Sequence, residues 1–223
     1  GEQLFGFNSF GWRFSSVVFG SLLVLMTIRL ARRLSRSTMV GAIAGILLTL
    51  DGLAFVMSRI GLLDIFQAFF LVAGVSAVAA DRDWFRHRLA DHLRTIGNPH
   101  LNGDFGPALG WRPWRLVAGI MFGLACGTKW NSMFVLATMG IVSVIWDWSA
   151  RRLAGAGTKA WWSFLRDGVP AFVYLVVVAL LTYLATWAKW LVTYPHMVFG
   201  KSWAGPAPSP GLSKVVGKPL AAL

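Results

Sequence analysis

Long apolar blocks alternate with short basic segments along this chain. Residues 168–188 and 130–146 contain no charged side chain, and neither do residues 65–80. A helix of about 20 residues rises ~30 Å, the thickness of a bilayer's hydrocarbon core. Inside lipid every backbone polar group must be bonded within the protein, so only helices and closed barrels can cross. Runs that stay apolar without a period of two are helical rather than barrel strands. The pattern predicts an all-α integral membrane protein with about six crossings: residues 11–30, 38–57, 62–80, 114–127, 130–146 and 169–190. These make one transmembrane domain over residues 1–190. Residues 191–223, rich in proline and glycine, read as loop or as a divergent tail.

Charge decides whether residues 116–146 form one helix or two. A break at Gly127-Thr128-Lys129 places the basic segments after crossings one, three and five on the same side. Those segments hold Arg29, Arg32, Arg33 and Arg36; then Arg82, Arg86, Arg88, Arg94, Arg112 and Arg115; then Arg151, Arg152, Lys159 and Arg166. They account for two thirds of the 21 lysines and arginines. A single long helix would put the third segment on the opposite face. The positive-inside rule therefore favours two crossings, with the basic segments cytoplasmic in a multi-pass plasma-membrane protein.

Composition agrees. Hydrophobic residues make up 56% of the chain and charged residues 13%, about half the charge of a soluble domain. The formal net charge of +12 thus reads as a topology signal and as attraction to anionic lipids, not as a nucleic-acid footprint. The one cysteine, Cys126, excludes an internal disulfide framework. The chain opens at Gly1 without a signal-peptide pattern and reads as part of a longer protein. Within residues 84–96, Phe85, Leu89, Leu93 and Ile96 share a helical stripe, which predicts a helix lying in the membrane interface. Gly41 and Gly45, and Gly119, Gly123 and Gly127, have the four-residue spacing that lets helix backbones approach closely.

Removing the basic segments leaves a short set of polar groups at the other ends of the crossings. Arg13, Arg59, Asp64 and Lys129 lie there, and Asp51 sits about two turns from Arg59. Ionisable groups at or within the bilayer are costly and face a protein interior or a wet cavity. Each alone is explained by snorkelling or by a helix-end ion pair, here Arg59 with Asp64. Four together, three of them cationic, point to an anion site, and phosphate is the anion that clustered arginine and lysine bind. Asp51 and Ser58 are seven residues apart and share a helix face. As a structural element, Asp51 reads as a polar contact within the bundle.

Three lookalikes carry less. Gly155-Ala156-Gly157-Thr158-Lys159-Ala160 mimics a dinucleotide fingerprint but has no strand before it. Gly200-Lys201-Ser202 mimics a phosphate loop, with Pro195 where its first glycine belongs. Asp83, His87 and Asp91 share a face that could hold metal, but on a polar helix they read as a solvated face. No metal site is assigned.

At these same positions the sequence resembles the protein O-mannosyltransferases, multi-pass GT-C glycosyltransferases, and most closely their actinobacterial branch. The likeness rests on Gly11-Trp12-Arg13, on Asp51-Gly52-Leu53, on Ser58-Arg59-Ile60-Gly61-Leu62-Leu63-Asp64, and on Gly123-Leu124-Ala125 with Lys129-Trp130. It covers roughly residues 1–190; residues 193–223 do not look like the usual continuation. The resemblance implies transfer of mannose from a polyprenyl-phosphate-mannose donor to Ser or Thr hydroxyls of proteins, at the external membrane face. No cofactor is implied beyond that lipid-linked substrate. It implies donor-binding roles for Arg13, Arg59, Asp64, Lys129, Trp130, Asp51 and Ser58. It also implies that the family's acidic pair precedes Gly1, so that no catalytic residue is assigned here and the chain alone is inactive. Competing readings are another GT-C transferase acting on lipid A or cell-wall glycan, and an anion transporter. The transporter reading lacks an internal repeat in the sequence, and the cations lie at one membrane edge rather than at the midplane.

Overall fold

The computed structural model describes residues 9–188, and helix dominates them. The helices are α1 (Ser9–Ser35), α2 (Thr38–Leu50), α3 (Gly52–Ile60), α4 (Leu63–Thr95), α5 (Pro113–Thr128) and α6 (Ser132–Leu153). A 3-10 turn (Gly157–Trp162) follows, then α7 (Ser163–Arg166), α8 (Gly168–Phe172), a π-helical turn (Val173–Val177) and α9 (Val178–Thr186). The final residues of the sixth expected crossing, and the tail 191–223, lie outside the described residues.

Among the described residues, four segments are long and apolar enough to span a bilayer: Arg13–Ser35, Leu63–Thr95, Ser132–Leu153 and Gly157–Thr186. The pair Thr38–Leu50 and Gly52–Ile60 makes a fifth if counted as one span, although it is bent by 61°. The fourth expected crossing, α5, has 16 residues, a rise of about 24 Å, which is short for a span by itself.

The second expected crossing is broken because Asp51 ends one helix and starts another. Its backbone leaves the helical region (φ −66°, ψ 115°), and its carboxylate accepts a hydrogen bond from the Ala54 amide at 2.8 Å. An aspartate capping a free helix N-terminus is favourable by about 1 kcal/mol. Gly61 then closes α3 at φ 73°, a left-handed conformation that glycine adopts without a Cβ penalty.

The third expected crossing runs longer than predicted. Helix α4 continues without interruption to Thr95, so residues 84–96 do not form a separate helix lying in the interface. Their apolar stripe was read correctly but covers protein rather than lipid. Phe85 and Leu89 are buried with Leu101, Ala150, Ala156 and Ala160, and Leu93 packs against that cluster.

Ring contacts of Phe19 with Phe66, Phe69 and Phe70, and approach of Arg33 to Asp83, show α1 running parallel to α4. Helix α2 returns along α1, where Gly41 and Gly45 meet Ile28 and Arg32. Helices α5 and α6 form an antiparallel hairpin turning at residues 129–131. The two-crossing reading of residues 116–146 therefore holds as a pair of helices. The three basic segments consequently lie at one end of the bundle, and the α3–α4 and α5–α6 turns at the other.

Gly119, Gly123 and Gly127 face the last span. A Cβ at Gly119 would stand 2.0 Å from the Tyr174 carbonyl oxygen, and one at Gly123 would stand 2.6 Å from the Ala179 carbonyl oxygen. Gly140, midway along α6, has nothing within 4 Å of that position. Gly119→Ala should therefore destabilise the protein by about 1–3 kcal/mol through overpacking. Gly140→Ala should be neutral or stabilising by up to about 1 kcal/mol. Denaturation in detergent separates the two; equal stability of both variants would contradict the close approach of α5 to the last span.

Candidate functional site

The turns at the α3–α4 and α5–α6 end carry most of the polar groups singled out in the sequence. Asp64, in the first turn of α4, forms an ion pair with Lys129, the residue that ends α5. One turn further along α4, Gln67 Nε2 donates to Asn131 Oδ1 at 2.6 Å and to Ser132 Oγ at 2.8 Å. Ser132 Oγ donates in turn to the Ala125 carbonyl at 3.2 Å. These contacts fasten the α5–α6 turn to the start of α4. Gln67 was not singled out from sequence, although a lone amide in the apolar run 65–80 is a usable signal, since a buried amide needs partners.

The expected pairing of Asp64 with Arg59 is replaced by pairing with Lys129. Arg59 lies in the last turn of α3, and its guanidinium stands over the Phe55 ring, 5.2 Å from the centroid. Both sides of the Asp64–Lys129 pair are partly open, at 32% and 43% exposure, so water or a ligand can reach it. Trp130 follows at 69% exposure and touches the Phe134 ring at 6.4 Å. Arg13 is exposed on α1, six residues before Phe19, and so lies toward the same end.

Asp51 and Ser58 each make a hydrogen bond to the backbone close by in sequence. Asp51 caps α3, and Ser58 donates to the Phe55 carbonyl at 2.8 Å. The Ser58 Cβ would lie 2.7 Å from a Cβ placed at Gly20, so α3 rests closely on α1 there. Among the described residues, neither forms a hydrogen bond or ion pair with Asp64 or Lys129.

Most of the buried charge sits at the opposite end, where the sequence was read as solvated linkers. Asp81, Arg112, Arg115, Asp147, Arg151 and Asp167 are each at most 3% exposed. Arg112 donates through Nε to Asp81 Oδ1 at 2.9 Å and through Nη1 to Asp147 Oδ2 at 3.1 Å. Arg115 Nη2 donates to Asp147 at 2.5 Å, and its Nη1 reaches the Asp167 carbonyl at 3.3 Å. Its Nε stands 3.0 Å from Asp81 Oδ2 without hydrogen-bond alignment, a purely ionic contact. Arg151 forks onto both Asp167 oxygens at 2.7 and 2.9 Å and binds the Phe105 and Pro107 carbonyls. Phe85 lies beneath Arg112 and Arg151, 4.5 and 5.1 Å from its centroid.

Three arginines balance three aspartates, so the network is neutral and can be buried. Burial opposes the charged form of Arg112. Asp147 and Asp81 more than compensate, and the guanidinium is held above the ordinary arginine value. Arg112, Arg115 and Arg151 are therefore not the solvated linker cations expected. Of the face Asp83, His87 and Asp91, Asp83 lies near Arg33 and Arg82, Asp91 pairs with Arg94, and His87 lines a basic cleft.

The family model for dolichyl-phosphate-mannose-protein mannosyltransferase matches residues 1–88. A polyprenol-phosphate-mannose–protein mannosyltransferase of Mycobacterium tuberculosis is 40% identical over 193 residues, 86% of this chain. Proteins of the same name from Mycolicibacterium smegmatis and Corynebacterium glutamicum are 40% and 39% identical over 86% of the chain. The chain spans 37% of the length of these curated relatives. No solved structure matches. The resemblance drawn from residues 11–13, 51–64 and 123–130 is thus supported over 86% of the chain.

Asp147→Ala should cost about 3–5 kcal/mol, because two buried guanidinium groups lose a carboxylate. Asp104→Ala, which removes an exposed pair with Lys159, should cost at most about 1 kcal/mol. Unfolding midpoints in detergent measure both; a small loss for Asp147→Ala would mean that water reaches the network.

Proposed function

We propose that this chain, 86% of which aligns with polyprenol-phosphate-mannose–protein mannosyltransferases, is part of an enzyme moving mannose from polyprenol-phosphate-mannose to protein Ser or Thr hydroxyls. The observation that carries this reading is the 40% identity to proteins bearing that activity in their name, across 86% of the chain. The geometry supports it in one respect. The most family-like block, residues 51–64, forms α3, its closing turn and the start of α4, which brings Arg59 to the same end as the Asp64–Lys129 pair.

In the reaction the acceptor hydroxyl oxygen attacks the anomeric carbon, and the bond from that carbon to the phosphate oxygen breaks. The electron pair leaves with the lipid phosphate, and the hydroxyl proton passes to a carboxylate base. Charge grows on the departing phosphate, and cations fixed nearby lower the barrier. Arg59, Lys129 and Arg13 supply that charge. Asp64 holds Lys129 in place, and the exposed Trp130 ring offers an apolar face to the sugar or the prenyl chain. Asp51 and Ser58 act indirectly by setting the bend that aims Arg59. Neither aspartate serves as the base: Asp51 is committed to the Ala54 amide and Asp64 to Lys129. With the basic segments cytoplasmic, this cluster faces the outside.

Two measurements test the reading. In membranes containing the full-length protein, polyprenol-phosphate-mannose should label a Ser/Thr peptide, and Arg59→Ala should lower the rate about 10²–10³-fold with insertion unchanged. Normal transfer by that variant would remove Arg59 from the site. In a Cys126→Ala background, a cysteine at Thr128 should react with an impermeant reagent from outside, and one at Thr95 only from the cytoplasm. The reverse pattern would invert the topology.

A further inference from the structure

At the basic end, α1 finishes beside the middle of α4 and the start of α5, leaving a cleft of 920 Å³. Arg29, Arg32, Arg33 and Arg36 line it from α1 and the turn after it, and Arg86 and His87 from α4, with Trp84 and Trp114 alongside. The one carboxylate lining the cleft, Asp83, lies 3.7 Å from Arg33 and 3.8 Å from Arg82. Five arginines thus face one shared aspartate, unlike the balanced network nearby.

Carbonyls at the C-terminus of α1 favour cations in its last turn. That accounts for Arg32 and Arg33, but not for Arg86 and His87, which come from the interior of a 33-residue helix. Arginines gathered from two helices onto one cleft repel one another unless an anion joins them. Their planar forks match phosphate oxygens.

The position of the cleft identifies the source of the phosphate. It lies where the apolar runs of α1 and α4 end, at headgroup depth, and indoles such as Trp84 and Trp114 concentrate at that level. Leu22 and Leu25, one to two turns before Arg29 on α1, are 38% and 47% exposed and offer a path for acyl chains. Basic pockets between membrane helices on the cytoplasmic side hold anionic headgroups. We propose that this cleft binds the phosphate of an anionic membrane lipid. The inference requires membrane embedding but not the mannosyl-transfer reading.

Native mass spectrometry of the full-length protein, delipidated and then offered phosphatidylglycerol or phosphatidylcholine, tests it. The wild type should retain phosphatidylglycerol selectively. Arg33→Gln with Arg86→Gln should lower that retention about thirtyfold, at about fivefold per cation. Arg152→Gln serves as control, since Arg152 is exposed, rests on Trp148 and lies outside the cleft. Its retention should equal the wild type's. If the double variant misfolds, Arg29→Gln alone should show about a fivefold loss. Undiminished retention in the cleft variants, an equal loss in Arg152→Gln, or displacement of the lipid by millimolar inorganic phosphate would each overturn the lipid site.

Discussion

The arrangement depends most on the burial of three arginines with three aspartates at the basic end. Asp81 comes from α4, Arg112 and Arg115 from the start of α5, Asp147 and Arg151 from α6, and Asp167 from the junction before α8. No pair could be buried alone at acceptable cost, because each guanidinium needs more acceptors than one carboxylate supplies. Shared, the charges cancel, and every guanidinium nitrogen of the three arginines except Arg115 Nε donates a hydrogen bond. Arg151 also binds carbonyls of the loop after α4, so the long segment from α4 to α5 is tied to the same point.

That clamp has a consequence at the other end. With α4, α5 and α6 held together by the network, the α5–α6 turn is brought back to the start of α4, where neutral hydrogen bonds from Gln67 and one partly open ion pair suffice. Strong, dry electrostatics sit where the helices must be fixed. Weaker and wetter polar groups sit at the end proposed to receive the donor phosphate. The bend at Asp51 belongs to the second group, since it turns α3 away from the line of α2 at the cost of one interrupted span.

The two unbalanced collections of cations should be kept apart. Arg59 and Lys129 lie at the α3–α4 and α5–α6 turns, and Lys129 already has a partner in Asp64. The arginines of the cleft between α1 and α4 lie at headgroup depth among indoles, with only Asp83 against them. A phosphate could serve either place. In the proposed scheme the first holds a leaving group and the second a resident lipid, because the first lies at the α3–α4 and α5–α6 turns and the second at the basic end.

Much of the architecture was legible in the amino-acid sequence. Uninterrupted apolar runs dictate membrane helices, because hydrocarbon offers no other partner for the backbone. The placement of basic residues split residues 116–146 correctly, since charge is costly to carry across. Glycines at four-residue spacing marked the close contacts of α5 with the last span. Tertiary structure decided the pairings. Asp64 was expected on Arg59 and meets Lys129, 65 positions away, because the α5–α6 turn folds back onto α4. Arg112, Arg115 and Arg151 looked like solvated linker charge and are buried, since their neutralising aspartates arrive from other helices. Local sequence records where a charge stands relative to its own helix; which opposite charge reaches it depends on how distant helices pack.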